Sequence, residues 1–270
     1  MQNLKGKTVI ITGASSGIGA ACAIDCGKQG ANVVLVARDI PRMEKVQQAI
    51  GGKSICIQAD VSNETDCQKI ISQTVEEFGG IDVLINNAGI SMRALFNEAE
   101  LDVIRKLMDI NFWGSVYCTK FALPYLLKSK GSIVGVSSIA GYRGLPGRTG
   151  YSASKFAMQG FFEALRTEHL HDGLHILVAC PGFTATNIRS TSLNAAGQNQ
   201  GDSPRDESAM MSAEQVAVHI RTGIEKRKRT IVLTNQGKLT VFLNKWLPGF
   251  MDNQVYNHFA NEPDSPFTKK

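Results

Sequence analysis

Tyr151 and Lys155 are two residues whose types and spacing suit acid–base chemistry. They lie four residues apart in a segment of helical periodicity, so both side chains share one face of the predicted helix. A phenol with a pKa of about 10 is a poor base at neutral pH, but a neighbouring ammonium favours the phenolate and lowers that pKa. Tyr151 can then exchange a proton with a carbonyl or alcohol oxygen. The alternative is an ordinary tyrosine and a surface lysine on an amphipathic helix.

A glycine-rich loop near the start of the chain is suited to binding phosphate. Residues 12–19 read TGASSGIG, follow a predicted strand and open a predicted helix. Glycines at 13, 17 and 19 permit a tight turn, close approach of the backbone to a pyrophosphate, and close packing of helix on strand. The helix start offers its N–H groups and positive dipole end to the phosphates. The residues predicted to bind a dinucleotide are Gly13, Ser15, Ser16, Gly17, Ile18 and Gly19; the alternative is a turn without a ligand.

The end of the second predicted strand bears on which dinucleotide is bound. An acid there binds the ribose 2′-hydroxyl of NAD, whereas a cation accommodates the 2′-phosphate of NADP. Ala37 stands where the acid is expected, and the planar guanidinium of Arg38 follows it. The sequence therefore favours NADP(H). Asp39 leaves NAD(H) open, because a register shift of one residue would bring its carboxylate into play.

Short apolar runs alternate along the chain with longer segments of helical period. The strands and helices that they predict must position Tyr151, Lys155 and the glycine loop. Most of the runs are continuously apolar, as expected for parallel strands covered by helices on both faces, and no hairpin signal interrupts them. This pattern predicts a single-domain, doubly wound α/β fold with about seven strands. The predicted strands are Thr8–Thr12, Asn32–Ala37, Ser54–Gln58, Val83–Asn86, Ser132–Val136, His175–Ala179 and Thr230–Thr234. The predicted helices span about 17–29, 41–50, 64–78, 100–127 and 151–171, and a capping box starts another at Ser212.

Three segments in this order resemble the short-chain dehydrogenase/reductase family. They are the glycine loop, Asn-Asn-Ala-Gly at 86–89 and Tyr-Ser-Ala-Ser-Lys at 151–155. The resemblance covers about residues 5 to 234 and points to the hydroxysteroid-dehydrogenase-like, NADP-dependent members. It implies a Rossmann-type fold and hydride transfer between a nicotinamide and a carbonyl or secondary alcohol substrate. An NAD-dependent member, a reductase of a lipid-like carbonyl and a non-catalytic dinucleotide sensor are the alternatives.

The resemblance also implies roles for individual residues. Tyr151 is the general acid/base, and Lys155 tunes the phenol and holds the cofactor. Ser138, 13 residues before Tyr151, stabilises developing charge on the substrate oxygen. Asn111 completes the catalytic tetrad through a water that contacts the lysine; a polar residue within an apolar helix needs such a reason. Further cofactor contacts are implied for Asp60, Val61, Asn87, Ala88, Gly89, Pro181, Gly182, Thr184 and Thr186, although a plain strand-to-loop turn also explains 181–186.

The composition limits the class of protein. The chain has 270 residues, of which 43% are hydrophobic and 20% charged, as in a globular protein with a sizeable core. A net charge of +5 does not by itself indicate nucleic acid, and none is expected as a partner. Its six cysteines form no CxxC pair, so we expect reduced thiols and no metal site. The first residues lack the apolar stretch of a secretory signal, and the expected location is cytoplasmic.

The segments that follow Pro181 bear on the substrate. Residues 190–211 are rich in Ser, Asn and Gly and predict a mobile loop over the site. We expect pocket residues from this loop, from 91–96 and 140–148, and from Phe183. Their side chains indicate a partly apolar ligand, with Arg93, Arg143 or Arg148 available to an anionic end.

Two surfaces of the predicted fold suggest partners. The extension at about 236–270 carries Phe242, Leu243, Trp246, Leu247 and Phe250 at helical spacing beside two lysines. Such a segment can lie on a membrane surface, cover the substrate pocket or pack against a second subunit. Aromatic residues are in surplus on helices 100–127 and 151–171, and by resemblance they form the interface of a homodimer or homotetramer. Burial against the chain's own sheet is the alternative.

Overall fold

The computed structural model describes residues 3–201, 210–262 and 265–267. Seven parallel strands form one sheet in the order β3-β2-β1-β4-β5-β6-β9. These strands are β1 (Thr8–Thr12), β2 (Asn32–Ala37), β3 (Ser54–Gln58), β4 (Val83–Asn86), β5 (Ser132–Val136), β6 (His175–Cys180) and β9 (Thr230–Val232). A separate short pair joins β7 (Thr184–Ala185) to β8 (Met211–Ser212). The strand order reverses between β1 and β4, and doubly wound folds bind their ligands at the carboxyl ends of the strands beside such a point.

Helices cover both faces of the sheet. They are α1 (Gly17–Lys28), α2 (Ile40–Gln48), α3 (Glu64–Phe78), α4 (Leu101–Met108), α5 (Gly114–Ser129), α6 (Thr149–Glu168), α7 (Ala213–Glu225), α8 (Asn235–Trp246) and α9 (Pro248–Ala260). One hydrophobic cluster joins the sheet to α1 and α7, and a second joins its other face to α3, α5 and α6. The prediction of a doubly wound α/β fold with about seven parallel strands is therefore confirmed.

The first five predicted strands have the bounds found in the structure, and the later ones differ by one or two residues. β6 continues to Cys180, and β9 ends at Val232 rather than Thr234. Thr234 has a φ of 66° and its side chain accepts a hydrogen bond from the N–H of Gly237, so it begins α8 instead of extending the strand. The capping box of Ser212 and Gln215 is present and begins α7, as predicted.

The predicted helix 100–127 is in fact three segments. A π-helical turn, Asp109–Trp113, separates α4 from α5. Each π turn holds about one residue more than an α turn, and such turns occur often at functional sites. The apolar spacing of the two flanking segments looks continuous in the sequence, so the prediction of one uninterrupted helix was wrong.

The two late segments contact the rest of the domain. Leu193 is buried and bridges to Met92, whereas residues 202–209 of the predicted loop lie outside the described residues, so its mobility stays a prediction. Pro248 occupies the first turn of α9, where its missing N–H costs nothing, and a second helix follows the amphipathic run. No helix in the described ranges is both long and apolar enough to cross a bilayer.

Candidate active site

The glycine loop is fixed to the end of β4 by hydrogen bonds. Thr12 Oγ1 accepts from the N–H groups of Asn87 and Ala88, each at 3.0 Å, and Asn87 Nδ2 donates to the carbonyl of Thr12 at 2.9 Å. Gly13 has a φ of 66°, a conformation that side chains disfavour. A Cβ atom at Gly19 would lie 2.2 Å from the carbonyl oxygen of Gly13, so this close packing requires glycine.

The start of α1 faces the turn that follows β6. Ser16 is the N-cap residue, and within the described residues its side chain makes no capping hydrogen bond, which leaves the first N–H groups of α1 available to an anion. Thr186 lies beside Gly17, because a Cβ atom added there would meet its methyl carbon at 3.3 Å. The structure therefore brings the predicted 13–19 and 181–186 segments together at one edge of the sheet.

The end of β2 carries Arg38 and Asp39 in different surroundings. Asp39 caps α2 by accepting a hydrogen bond from the N–H of Arg42, and it also lies 3.3 Å from the Arg42 guanidinium. Arg38 is exposed, and its Nη1 lies 3.7 Å from a carboxylate oxygen of Asp60. Burial raises the pKa of Asp60, but hydrogen bonds from Ser62 and the charge of Arg38 lower it below the usual value on balance.

Tyr151, Lys155 and Ser138 meet at the carboxyl end of β5. The Ser138 hydroxyl is near enough to the Tyr151 phenol to lower the pKa of that phenol. Lys155 is buried, its Nζ donates to the carbonyl of Val136 at 2.9 Å, and it lies 5.8 Å from the centroid of the Tyr151 ring. The predicted catalytic serine, tyrosine and lysine therefore lie together.

Burial dominates the ionisation of this group. It raises the pKa of the Tyr151 phenol, while the Ser138 hydroxyl and the charge of Arg148 act in the lowering direction. Burial also lowers the pKa of Lys155 to about 8. The expected lowering of the phenol pKa by Lys155 is therefore not found, because desolvation outweighs the neighbouring charges.

Asn111 lies in the π-helical turn and is fully buried. Its Oδ1 accepts from the N–H of Ile90 at 2.8 Å, and its Nδ2 donates to the carbonyl of Ile90 at 3.0 Å and to Ser154 Oγ at 2.9 Å. A Cβ atom added at Gly89 would lie 3.2 Å from Asn111 Oδ1 and 3.5 Å from Lys155 Nζ. Asn111 and Lys155 thus flank the same glycine, as expected for two members of one site.

A cavity of about 800 Å³ opens beside Ser138. Its apolar lining comes largely from Ile139, Leu145, Phe183, Met251, Val255 and Phe259. Phe183 and Leu145 lie in segments predicted to line the pocket, but α8 and α9 contribute more than the sequence indicated. Their lining residues alternate with polar and exposed positions, so a composition count did not reveal them.

The amino-acid sequence matches one protein family and several known proteins. The family profile described as short chain dehydrogenase matches residues 7–196. The chain belongs to the short-chain dehydrogenase family. It is 46% identical over 192 residues to 11-beta-hydroxysteroid dehydrogenase-like 2 of Arabidopsis thaliana, covering 69% of this chain and 62% of that relative.

Two further relatives cover different shares of the chain. Dehydrogenase/reductase SDR family member 7B of Mus musculus is 34% identical over 255 residues, covering 91% of this chain and 79% of the relative. 11-beta-hydroxysteroid dehydrogenase A of Sesamum indicum is 41% identical over 202 residues, covering 73% and 58%. This chain thus spans less than two thirds of both plant relatives. The predicted resemblance to hydroxysteroid-dehydrogenase-like members is confirmed.

Three arginines hold the C-terminal extension of this chain. Glu262 lies 3.0 Å from Arg148 and 3.8 Å from Arg93, and all three side chains are largely buried. Arg143 pairs with Asp252 and donates to Asn244 at 3.0 Å. The expectation that these arginines face an anionic ligand is not supported, because each one contacts an acid of the extension.

Proposed function

We propose that the protein is an NADP(H)-dependent oxidoreductase that acts on a carbonyl or secondary alcohol. The observation that carries this proposal is the grouping of Tyr151, Ser138 and Lys155 at the end of β5, where Ser138 borders a cavity of about 800 Å³. When bound, the nicotinamide supplies or accepts the hydride. Gly13 and Ser15–Gly19 would hold the pyrophosphate of the dinucleotide. Asp60, Val61 and Asn87–Gly89 would line its adenosine and ribose side. Pro181, Gly182, Thr184 and Thr186 would hold its carboxamide end.

Tyr151 and Ser138 have different roles at the substrate oxygen. Ser138 donates a hydrogen bond to that oxygen and stabilises the negative charge that develops on it during reduction. Tyr151 transfers its proton to the same oxygen, and it takes the proton back when an alcohol is oxidised. The raised phenol pKa keeps Tyr151 protonated at neutral pH, which suits proton donation. A screen of NADPH oxidation against apolar ketones and aldehydes tests the proposal; no turnover with any carbonyl class would favour the non-catalytic sensor.

The pocket chemistry supports a neutral and largely apolar substrate. Arg93, Arg143 and Arg148 are engaged by Glu262 and Asp252, so an anionic group would have to compete with these carboxylates. A volume of about 800 Å³ lies in the usual range for small-molecule pockets. Asn257, His258 and Asn261 add polar groups to the lining, which suits a ligand with a second oxygen remote from the reacting carbonyl.

Cofactor preference is expected to depend on Arg38. NADPH should bind at least about tenfold more tightly than NADH, because a charge-assisted contact with the 2′-phosphate is available only to NADPH. Arg38→Ala should reduce that ratio to near one, measured by the fluorescence of the bound reduced cofactors. Arg42→Ala is the matched control, since Arg42 is about as exposed as Arg38 but pairs with Asp39, the N-cap of α2, whereas Arg38 pairs with Asp60. Equal dissociation constants in the unaltered protein would contradict the preference for NADP(H).

Assembly into a dimer or tetramer is expected through the π-helical turn, α5 and α6. Trp113 and Phe156 are each almost half exposed, and Phe112, Trp113, Tyr117 and Phe161 form a continuous series of ring contacts. Phe162 is instead fully buried under the sheet, so the alternative of burial within one chain holds for that residue. Light scattering at micromolar concentration should give at least twice the monomer mass, and Trp113→Ser with Phe156→Ser should reduce it. A monomeric unaltered protein would contradict this expectation.

A further inference from the structure

The two C-terminal helices carry an apolar face that the domain does not cover. Leu239, Phe242, Trp246, Leu247 and Phe250 are each more than half exposed, and we call these five residues the tail face. They fall within twelve consecutive positions, whereas Leu170 and Val218, for example, are single exposed residues elsewhere on the surface. A concentration of large apolar side chains on a surface marks an interaction site.

The tail face is not needed to hold α8 and α9 in place. Met251, Val255 and Phe259 form a small core beneath these helices, with Leu145 and Leu243 packed against it. Polar contacts add to this anchoring, because Asn244 donates to the carbonyl of Tyr142 and accepts from Arg143, which also pairs with Asp252. Leu243, which the sequence grouped with Phe242 and Trp246 by its spacing, packs instead against this small core. The remaining apolar residues are therefore available to another molecule.

The tail face also takes no part in lining the substrate cavity. The cavity is lined from the same helices by Gln236, Gly237, Thr240, Met251, Gln254 and Val255, and none of the five tail-face residues is among its lining residues. The lining therefore does not support the alternative in which these aromatic side chains cover the pocket. The two helices have separate surfaces for the cavity and for an external partner.

The charges around the tail face favour an anionic lipid surface as that partner. Lys238 and Lys245 are exposed beside it, and Lys245 Nζ lies 5.6 Å from the centroid of the Trp246 ring. Between Thr230 and Asp252 the sequence contains two basic residues, Lys238 and Lys245, and no acid. Trp and Phe beside Lys are the composition of helices that lie in a bilayer interface, where the rings enter the headgroup region and the ammonium groups meet anionic lipids.

We propose that the tail face docks the protein on an anionic lipid surface, with α8 and α9 lying along the interface. A second copy of the chain is the competing occupant, and it would bury the aromatic rings without any need for the lysines. Attraction to anionic lipid is worth about 1 kcal/mol for each nearby lysine and is screened by salt, so binding should depend on both lipid charge and ionic strength.

Co-flotation of the full chain with vesicles tests this proposal. The protein should float with vesicles of phosphatidylcholine and phosphatidylserine, and Trp246→Ser with Phe250→Ser should weaken that binding at least tenfold. Lys238→Gln with Lys245→Gln should remove the preference for anionic over neutral vesicles. Leu170→Ser is the matched control, because Leu170 is as exposed as Trp246 but lies outside the tail face. Circular dichroism shows whether each variant keeps the native unfolding midpoint.

Each alternative result has a defined meaning. Absence of vesicle binding by the unaltered protein would overturn the proposal, as would equal binding by the folded Trp246→Ser, Phe250→Ser variant. If this variant instead halves the mass in light scattering and vesicles bind neither protein, the tail face is an interface between copies. The vesicle measurement needs no cofactor or turnover, so its outcome is independent of the proposed oxidoreductase function.

Discussion

Tyr151→Phe should lower turnover by about 10²–10⁴-fold while changing NADPH affinity by no more than about twofold. The substitution removes one hydroxyl and keeps the ring, so the packing of α6 is preserved. It leaves intact the hydrogen bond that Ser138 Oγ accepts from the N–H of Ala140 at 3.2 Å. The loss of rate therefore reports the proton transfer at the substrate oxygen. Stopped-flow reduction of a competent ketone and cofactor fluorescence measure the two quantities separately.

The controls for this substitution lie close to the site. Tyr142→Phe removes another partly buried phenol, whose pKa burial raises to about 12, and it should leave turnover nearly unchanged. Oxidation of the alcohol needs the phenolate of Tyr151. The pKa of this phenol lies above its ordinary value, so the phenol is mostly protonated at neutral pH and the phenolate fraction increases as the pH is raised. The oxidation rate should therefore increase from pH 6 to 8, and this increase should be absent in Tyr151→Phe. Unchanged turnover in Tyr151→Phe would refute the assigned role.

Lys155→Met should reduce turnover and weaken NADPH binding in the same variant. Methionine keeps much of the length and apolar stem of lysine but cannot donate a hydrogen bond or carry charge. A charged hydrogen bond contributes about 1.5–3 kcal/mol, so the affinity for NADPH should fall by about tenfold or more. Turnover should fall as well, because Lys155 lies beside the Tyr151 ring and would no longer hold the cofactor next to that phenol. Titration of NADPH fluorescence and single-turnover rates measure the two effects.

The position of Lys155 makes a simple folding control necessary. Its Nζ is buried and donates to Val136, so the variant should be compared with the unaltered protein by its thermal unfolding midpoint. Lys120→Met removes an exposed lysine from α5 and should change neither affinity nor rate. Because the pKa of Lys155 is about 8, raising the pH through that value removes its charge. NADPH binding should weaken above pH 8 in the unaltered protein and not in Lys155→Met; equal affinities of the two proteins at pH 7 would contradict the role.

The sequence was most informative where one local pattern decides the structure. The buried parallel strands appear as continuous apolar runs, and the bounds of β1 through β5 were correct. The four catalytic candidates came from the resemblance to the family, and Ser138 was placed by counting 13 residues back from Tyr151. The structure brings these four residues together around Gly89 and the end of β5.

Other features depend on contacts between distant segments and could not be found from local patterns. The ion pairs that join Arg93 and Arg148 to Glu262 span more than one hundred positions, and the sequence left those arginines available to a ligand. The pKa of Tyr151 likewise depends on burial by several elements, so the spacing to Lys155 alone gave the wrong direction. The apolar residues of α8 and α9 could be recognised, but not which of them face the cavity.

The π-helical turn at 109–113 changes the direction in which the side chains of α4 and α5 point, although the two helices follow one another without a break. One extra residue rotates everything before it by roughly 100° relative to everything after it. α4 can therefore present Val103 and Leu107 to the Met92 cluster, while α5 presents Cys118 and Ala122 to the sheet. α4 and α5 pack against different neighbours. An apolar substitution in one of these helices therefore need not change the packing of the other. Asn111 lies in the turn between the two helices and belongs to the apolar pattern of neither.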